Sequence, residues 1–220
     1  MKRIRKNAQP EAFLRWKALA NEDWKPSWDN FQKPQKTEVH QALLQEQGSL
    51  CCYCGQLIAM DRTVDARESH IEHFVPGEKS TDPRSLDYEN FHASCLKQGE
   101  RGVPLHCGAA KGGWFDSELT VSPLEDHVES RFRYDARGHI HAASGDRGAA
   151  ETISRLNLDR EPLIGLRRNA VEGALFNEQE PLPIEVIQLV LEAAKKRQSD
   201  GRLMSFAQAI ESVGRTLVPS

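Results

Sequence analysis

Residues 69–76, SHIEHFVP, place His70 and His73 around Glu72 where an apolar run begins. An imidazole titrates close to neutral pH and can take a proton from water, and a carboxylate beside it can hold a hard cation. These residue types suit a hydrolysis in which a base activates water while a cation neutralises developing charge. The order H-x-E-H differs by count from the zinc-protease patterns H-E-x-x-H and H-x-x-E-H, which it therefore excludes. A core strand whose histidines are hydrogen-bonded in place is the competing reading of the same residues.

The cysteines surround this stretch. Cys51 and Cys54 form C-x-x-C, a spacing that lets two thiolates reach one tetrahedral zinc from a tight turn, and Cys95 and Cys107 can supply two more ligands. Four sulfurs close such a site, so the zinc is expected to be a staple with no open position for catalysis. Cys52 has poor spacing to Cys54 and reads as a core thiol. The surrounding segment is rich in Gly, Pro and polar residues, and zinc binding can contribute ~10–16 kcal/mol to the folding of such pieces. An odd cysteine count of 5 also fits a reducing compartment, where clustered thiols hold metal more often than they pair.

Inside this frame lie HIEHFVP and then LDYENF, with Asn90 ahead of Cys95, followed by CGAAKGGW after the last thiol. This arrangement resembles the zinc-stapled, McrA-like HNH (ββα-metal) endonucleases. The resemblance implies a metal-dependent phosphodiester hydrolase in which His73 is the general base and Glu72 a ligand of Mg²⁺ or another divalent cation. In that reading His70 joins Glu72 as the cofactor-binding pair, and Asn90 orients the histidine or its loop. Adjacent residues of an ideal strand face opposite sides, so Glu72 and His73 can converge only where the strand bends; Pro76 and Gly77 are expected to provide that end. The family's ligand after the last cysteine is replaced by Gly108, and His70, His92, His106 and Asp116 are the candidates to substitute for it. Lys97, Arg101, Lys111, Arg131, Arg133 and Arg137 could grip phosphates, with scattered solvated charge as the competing reading.

The order LLQEQGSLCCYCG, HIEHFVP, LDYENF, CGAAKG, SPLE, FRYDARGHI and TISRLNLD is also similar to the PtuB-type HNH proteins of Septu and retron-associated anti-phage systems, over roughly residues 1–176. That likeness implies a PtuA-like ABC-type ATPase as partner and a nucleic-acid substrate, DNA or in some retron systems tRNA. A zinc-stapled nucleic-acid or partner-binding module without catalysis is the alternative, and Gly108 is its best argument.

The resemblance implies an α+β fold: a zinc-stapled ββα-metal core with flanking helices and a C-terminal helical region. The expected divisions are an N-terminal helical segment at 1–48, the HNH core at 49–118, and a β-hairpin with C-terminal helices at 119–220. Residues 10–21 read as a helix, and a second runs from Val39 to Gln47 with Thr37 as its cap. SRFRYDARGHIHAA reads as a hairpin turning at Gly138, and helical tracts are expected around 150–176 and 183–197. In the last tract Ile184, Ile187, Val190, Leu191 and Ala194 form an apolar stripe. The net charge of -3 and pI near 6.3 argue against a protein that grips nucleic acid by its overall field. No apolar run reaches the ~18 residues needed to cross a bilayer, so a cytoplasmic protein is expected.

Overall fold

The computed structural model describes residues 1–77, 82–95 and 104–219. The first helix, α1 (Glu11–Lys17), starts after Pro10 and carries Glu11 in its first turn and Arg15 and Lys17 in its last, the charge order that the helix dipole favours. Its buried Phe13 and Trp16 pack on Phe31, with ring centroids 4.9 and 5.2 Å apart. Trp28 extends this aromatic cluster toward the sheet. The second helix, α2 (Gln35–Glu46), is bounded by Pro34, and Thr37 lies within its first turn instead of capping it. Helix N-termini leave their first N–H groups without intrahelical partners, so a proline at that boundary sets the start at little cost.

The central sheet has the order β1-β2-β3, with β1 (Ile58–Ala59) parallel and β3 (Phe91–Cys95) antiparallel to β2 (Arg67–His73). Its register pairs His70 with Ser94, Glu72 with His92 and His73 with Phe91. The outer edge of β3 is closed by a side chain. The Gln47 amide accepts from the Ala93 N–H at 2.7 Å and donates to the Ala93 carbonyl at 2.8 Å and to the Leu50 carbonyl at 2.7 Å. It stands in for a strand that is not there and joins the end of α2 to the sheet.

After the sheet come the one-turn helix α3 (Gly108–Lys111) and the hairpin of β4 (Phe132–Tyr134) and β5 (Ile140–Ala142). Gly138 sits at φ +89° in that hairpin turn, where an added Cβ would lie 2.1 Å from the Ile164 carbonyl oxygen. The helix α4 (Arg147–Arg155) is capped by Asp146, which accepts from the Ala149 N–H at 2.9 Å. The helical tract expected around 150–176 is two helices. It breaks after α4, Asn157 takes a φ of 50°, and α5 (Leu163–Leu175) begins at Pro162. A proline ring cannot donate within a helix and marks the restart.

A short ribbon, β6 (Phe176–Asn177) with β7 (Glu180–Pro181), leads to α6 (Ile184–Lys195), which buries Ile187, Leu191 and Ala194 and leaves Ile184 exposed. The last helix, α7 (Ala207–Leu217), buries Ala209, Ile210 and Val213 against α5, α6 and β4. The result is a mixed α+β protein with small sheets, and one apolar core draws on Met1, Phe91, Cys107, Leu163 and Val213 alike. Among the described residues no helix is long and apolar enough to cross a membrane.

Replacing Gln47 by alanine strands the buried Ala93 N–H, and loss of such a partner costs ~1–3 kcal/mol. Urea unfolding of Gln47→Ala is expected to show that loss, and a midpoint equal to the parent's would show that the edge of β3 needs no cover.

Candidate active site and metal centre

The cysteines come from three separate segments. A tight turn, closed by a Gly55 N–H to Cys51 carbonyl bond of 3.1 Å, presents Cys51 and Cys54. Cys95 ends β3, and Cys107 precedes α3 at a φ of 57°. All four are buried, and their sulfurs lie within 4.8 Å of one another. Cys54 and Cys95 are 3.8 Å apart at sulfur, the edge of a tetrahedron whose metal–sulfur bonds are ~2.3 Å. Cys52 is buried outside this group.

Electrostatics point the same way. Burial works against the Cys51 thiolate, yet hydrogen bonds from Cys107, Cys52, Cys54 and Cys95 hold its pKa well below the ordinary range. Burial first, then the neighbouring cysteines, pushes Cys107 well up. Thiolates packed this closely repel one another, and a divalent cation would supply the charge that balances them. Zinc fits this donor set, and when bound it would tie the turn, β3 and α3 together with no open coordination position. His106 Nδ1 lies 3.2 Å from Cys107 Sγ and 3.8 Å from Cys95 Sγ, so this ring belongs to the sulfur cluster.

The strand residues divide by face. The β2/β3 ladder runs regularly through His73 and Phe91, so Glu72 and His73 point to opposite sides, and the bend expected to bring them together does not occur between them. Glu72 is buried on the side of α3. Its Oε1 meets Lys111 Nζ at 3.0 Å and the Tyr53 hydroxyl at 3.3 Å, and its Oε2 meets His70 Nε2 at 3.3 Å. Burial works to raise the Glu72 pKa, but the His70 hydrogen bond and the Lys111 ammonium outweigh it and hold the carboxyl below its usual range.

Gly108 explains itself here. A Cβ at that position would lie 2.4 Å from Glu72 Oε2, so the carboxylate occupies the space a side chain would need. The Lys111 ammonium, one turn later, also donates to the His73 carbonyl at 2.9 Å.

His73 lies half-buried on the other face, edge-on to Trp28 and Phe91 at ring centroid distances of 4.4 and 5.1 Å. Its Nε2 is 3.1 Å from the Ser85 carbonyl oxygen. A carbonyl only accepts, so Nε2 carries the hydrogen and, in the neutral ring, Nδ1 carries the lone pair. Burial lowers the His73 pKa and keeps the ring neutral. Asn90 fixes the loop that supplies this carbonyl: its Oδ1 accepts from the Val75 N–H at 2.7 Å, and its Nδ2 donates to the Val75 and Arg84 carbonyls at 2.9 and 3.0 Å.

The remaining candidates fall elsewhere. His92 is buried beside Glu72 across the strands, and among the described residues neither of its ring nitrogens has a hydrogen-bond partner. Among the described residues, the group of three or more such side chains that could hold a metal ion is the cysteine cluster and does not include His70, Glu72 and His92. Asp116 caps a turn by accepting from the Glu118 and Leu119 N–H groups. Arg131, expected to grip phosphate, is bound to Asp146 through Nε and Nη2, both at 2.7 Å, and to Glu125 at 2.7 Å. Arg133 donates to the Ser130 carbonyl at 2.7 Å, and Arg137 is exposed beside the hairpin turn. Lys97 and Arg101 lie outside the described residues.

Sequence reasoning missed the role of Lys111 opposite Glu72 and the aromatic seat of His73. The signal for the first was the one-turn spacing from Gly108 to Lys111; the second depends on Trp28, far away in the chain. A hard divalent cation does not fit the Glu72 pocket in this arrangement. Its carboxylate is already paired, Gly108 adds no ligand, and a dication ~4 Å from an ammonium is repelled by ~8 kcal/mol at an effective dielectric of ~20.

Two buried imidazoles make stability depend on pH. Burial lowers His92 to about 3 and His40 to about 4, whereas both titrate near ~6.5 when unfolded. The unfolded chain therefore takes up protons first as pH falls below that value. The stability these neutral rings give is complete at neutral pH and is lost on acidification, by up to ~1.4 kcal/mol per pH unit for each ring. Urea midpoints should fall between roughly pH 7 and 5, less steeply in His92→Phe; equal slopes would contradict the assignment.

A comparison of the chain with protein-family models and with curated proteins found no match, so the reading of function rests on the residues of this site.

Proposed function

We propose that this chain is a nucleic-acid phosphodiester hydrolase of the HNH type in which His73 is the general base. The observation that carries the reading is the His73 imidazole itself. It is neutral, it is fixed through Nε2 to the Ser85 carbonyl, and it keeps Nδ1 to accept a proton. In the proposed step Nδ1 takes a proton from water as the water oxygen bonds to phosphorus. The bond from phosphorus to the leaving sugar oxygen breaks, and that oxygen takes a proton from solvent.

Asn90 serves as a positioning residue through the loop it binds, and the hairpin of β2 and β3 over α3 supports a ββα core stapled by the four cysteines. Glu72 and Lys111 hold the end of β2. The resemblance of the motif order to PtuB-type proteins favours an ABC-type ATPase as partner and an anti-phage setting, with DNA or tRNA as substrate. The acidic net charge of -3 suits a nuclease that needs such a partner to engage nucleic acid. A second reading, a binding module without catalysis, is favoured by the paired Glu72 and by the enclosure of His73 between Trp28 and Phe91.

The test is cleavage of plasmid DNA and total tRNA by the protein alone and with a PtuA-like ABC-type ATPase, beside His73→Ala. Removing a general base is expected to slow cleavage by ~10²–10⁴-fold while the variant still folds and keeps its metal content. Cutting by His73→Ala at close to the parent rate would refute the role of this residue, and absence of cleavage by the parent with any substrate or partner would favour the binding module.

A further inference from the structure

We infer that Lys111 is the cation of the Glu72 site: its ammonium holds the position between the Glu72 carboxylate and the end of β2, and this site takes up no divalent cation while Lys111 is present. Three independent contacts fix the arrangement. Nζ sits 3.0 Å from Glu72 Oε1 and 2.9 Å from the His73 carbonyl oxygen, in a side chain that is 1% exposed. The carboxylate's other oxygen fills the space beside Gly108, where a Cβ would come within 2.4 Å of it. The helix position that could have offered a second ligand has thus been given to the carboxylate, and the carboxylate's charge is answered from inside the chain.

A mobile surface lysine would leave when a metal ion arrived. This one is enclosed, and a buried ammonium that lost its carboxylate to a metal would keep its charge without a partner, which is strongly unfavourable. Lys111 acts on the proposed reaction only through the groups it holds: it fixes Glu72 and, through the His73 carbonyl, the strand end that carries the imidazole. It is a positioning residue. This part of the inference rests on the proposed function, whereas the statement about metal uptake does not.

Mn²⁺ binding, followed by electron paramagnetic resonance or calorimetry on the full chain with its zinc content measured in parallel, separates the two. The parent is expected to show no Mn²⁺ site that depends on Glu72, so parent and Glu72→Gln should titrate alike. Lys111→Met removes the ammonium and should gain a Mn²⁺ site at least tenfold tighter than any in the parent, lost again when Glu72→Gln is added. A parent site abolished by Glu72→Gln, or a folded Lys111→Met that gains nothing, overturns the inference. If Lys111→Met does not fold, the comparison of the parent with Glu72→Gln still decides it. Cleavage assays with added or withheld Mg²⁺ report separately on the proposed function: a parent that cuts nothing ends that reading and leaves the Mn²⁺ result standing.

Discussion

Four buried thiols must be brought within one ion's reach by segments that have little else in common: a tight turn, the last residue of β3 and the residue before α3. Buried sulfurs crowded together repel as they ionise, so their convergence is stable only if something balances their charge. Most of the site geometry follows from this constraint. Anchoring Cys95 and Cys107 to one point places the start of α3 against β2, and that contact aims Lys111 at Glu72 and leaves room for the carboxylate only because residue 108 is glycine. The hydrogen bond from the Gly108 N–H to Ser94 Oγ, 3.3 Å, ties the same helix start to β3.

The two faces of β2 then take different chemistry. One carries charge in an enclosed ion pair, Glu72 with Lys111, supported by His70 and Tyr53. The other carries a neutral imidazole, His73, seated between Trp28 of the N-terminal segment and Phe91 of β3. A single strand can hold both because its side chains alternate, and the Lys111 bond to the His73 carbonyl links the faces through the backbone. The N-terminal segment is therefore more than a flank: Trp28, backed by Phe31 and the α1 residue Phe13, forms the wall behind His73, and Gln47 completes the edge of β3.

Much of this was legible from local spacing. C-x-x-C with the later cysteines marked the cluster of four sulfurs, Gly138 marked a hairpin whose turn admits no side chain, and the α6 stripe buries Ile187, Leu191 and Ala194 as its period requires. What escaped depends on partners distant in sequence or on competing boundary signals. Thr37 has a cap's chemistry, but Pro34 stops the chain from donating and so sets the helix start earlier. The helical period continues past Arg155, yet Pro162 splits the tract in two. The helix α7 carries an apolar period of its own and packs on α5, α6 and β4. The pairing of Glu72 with Lys111 could not be read because it depends on where the sulfur cluster fixes α3.

The measurement that bears most directly on the central constraint is the zinc K-edge absorption spectrum of the purified chain. Four sulfur scatterers at ~2.3 Å and no lighter ligand are the predicted first shell. A shell containing nitrogen or oxygen, with His106 or water replacing one of the thiolates, would contradict the account and loosen the placement of every residue built on it.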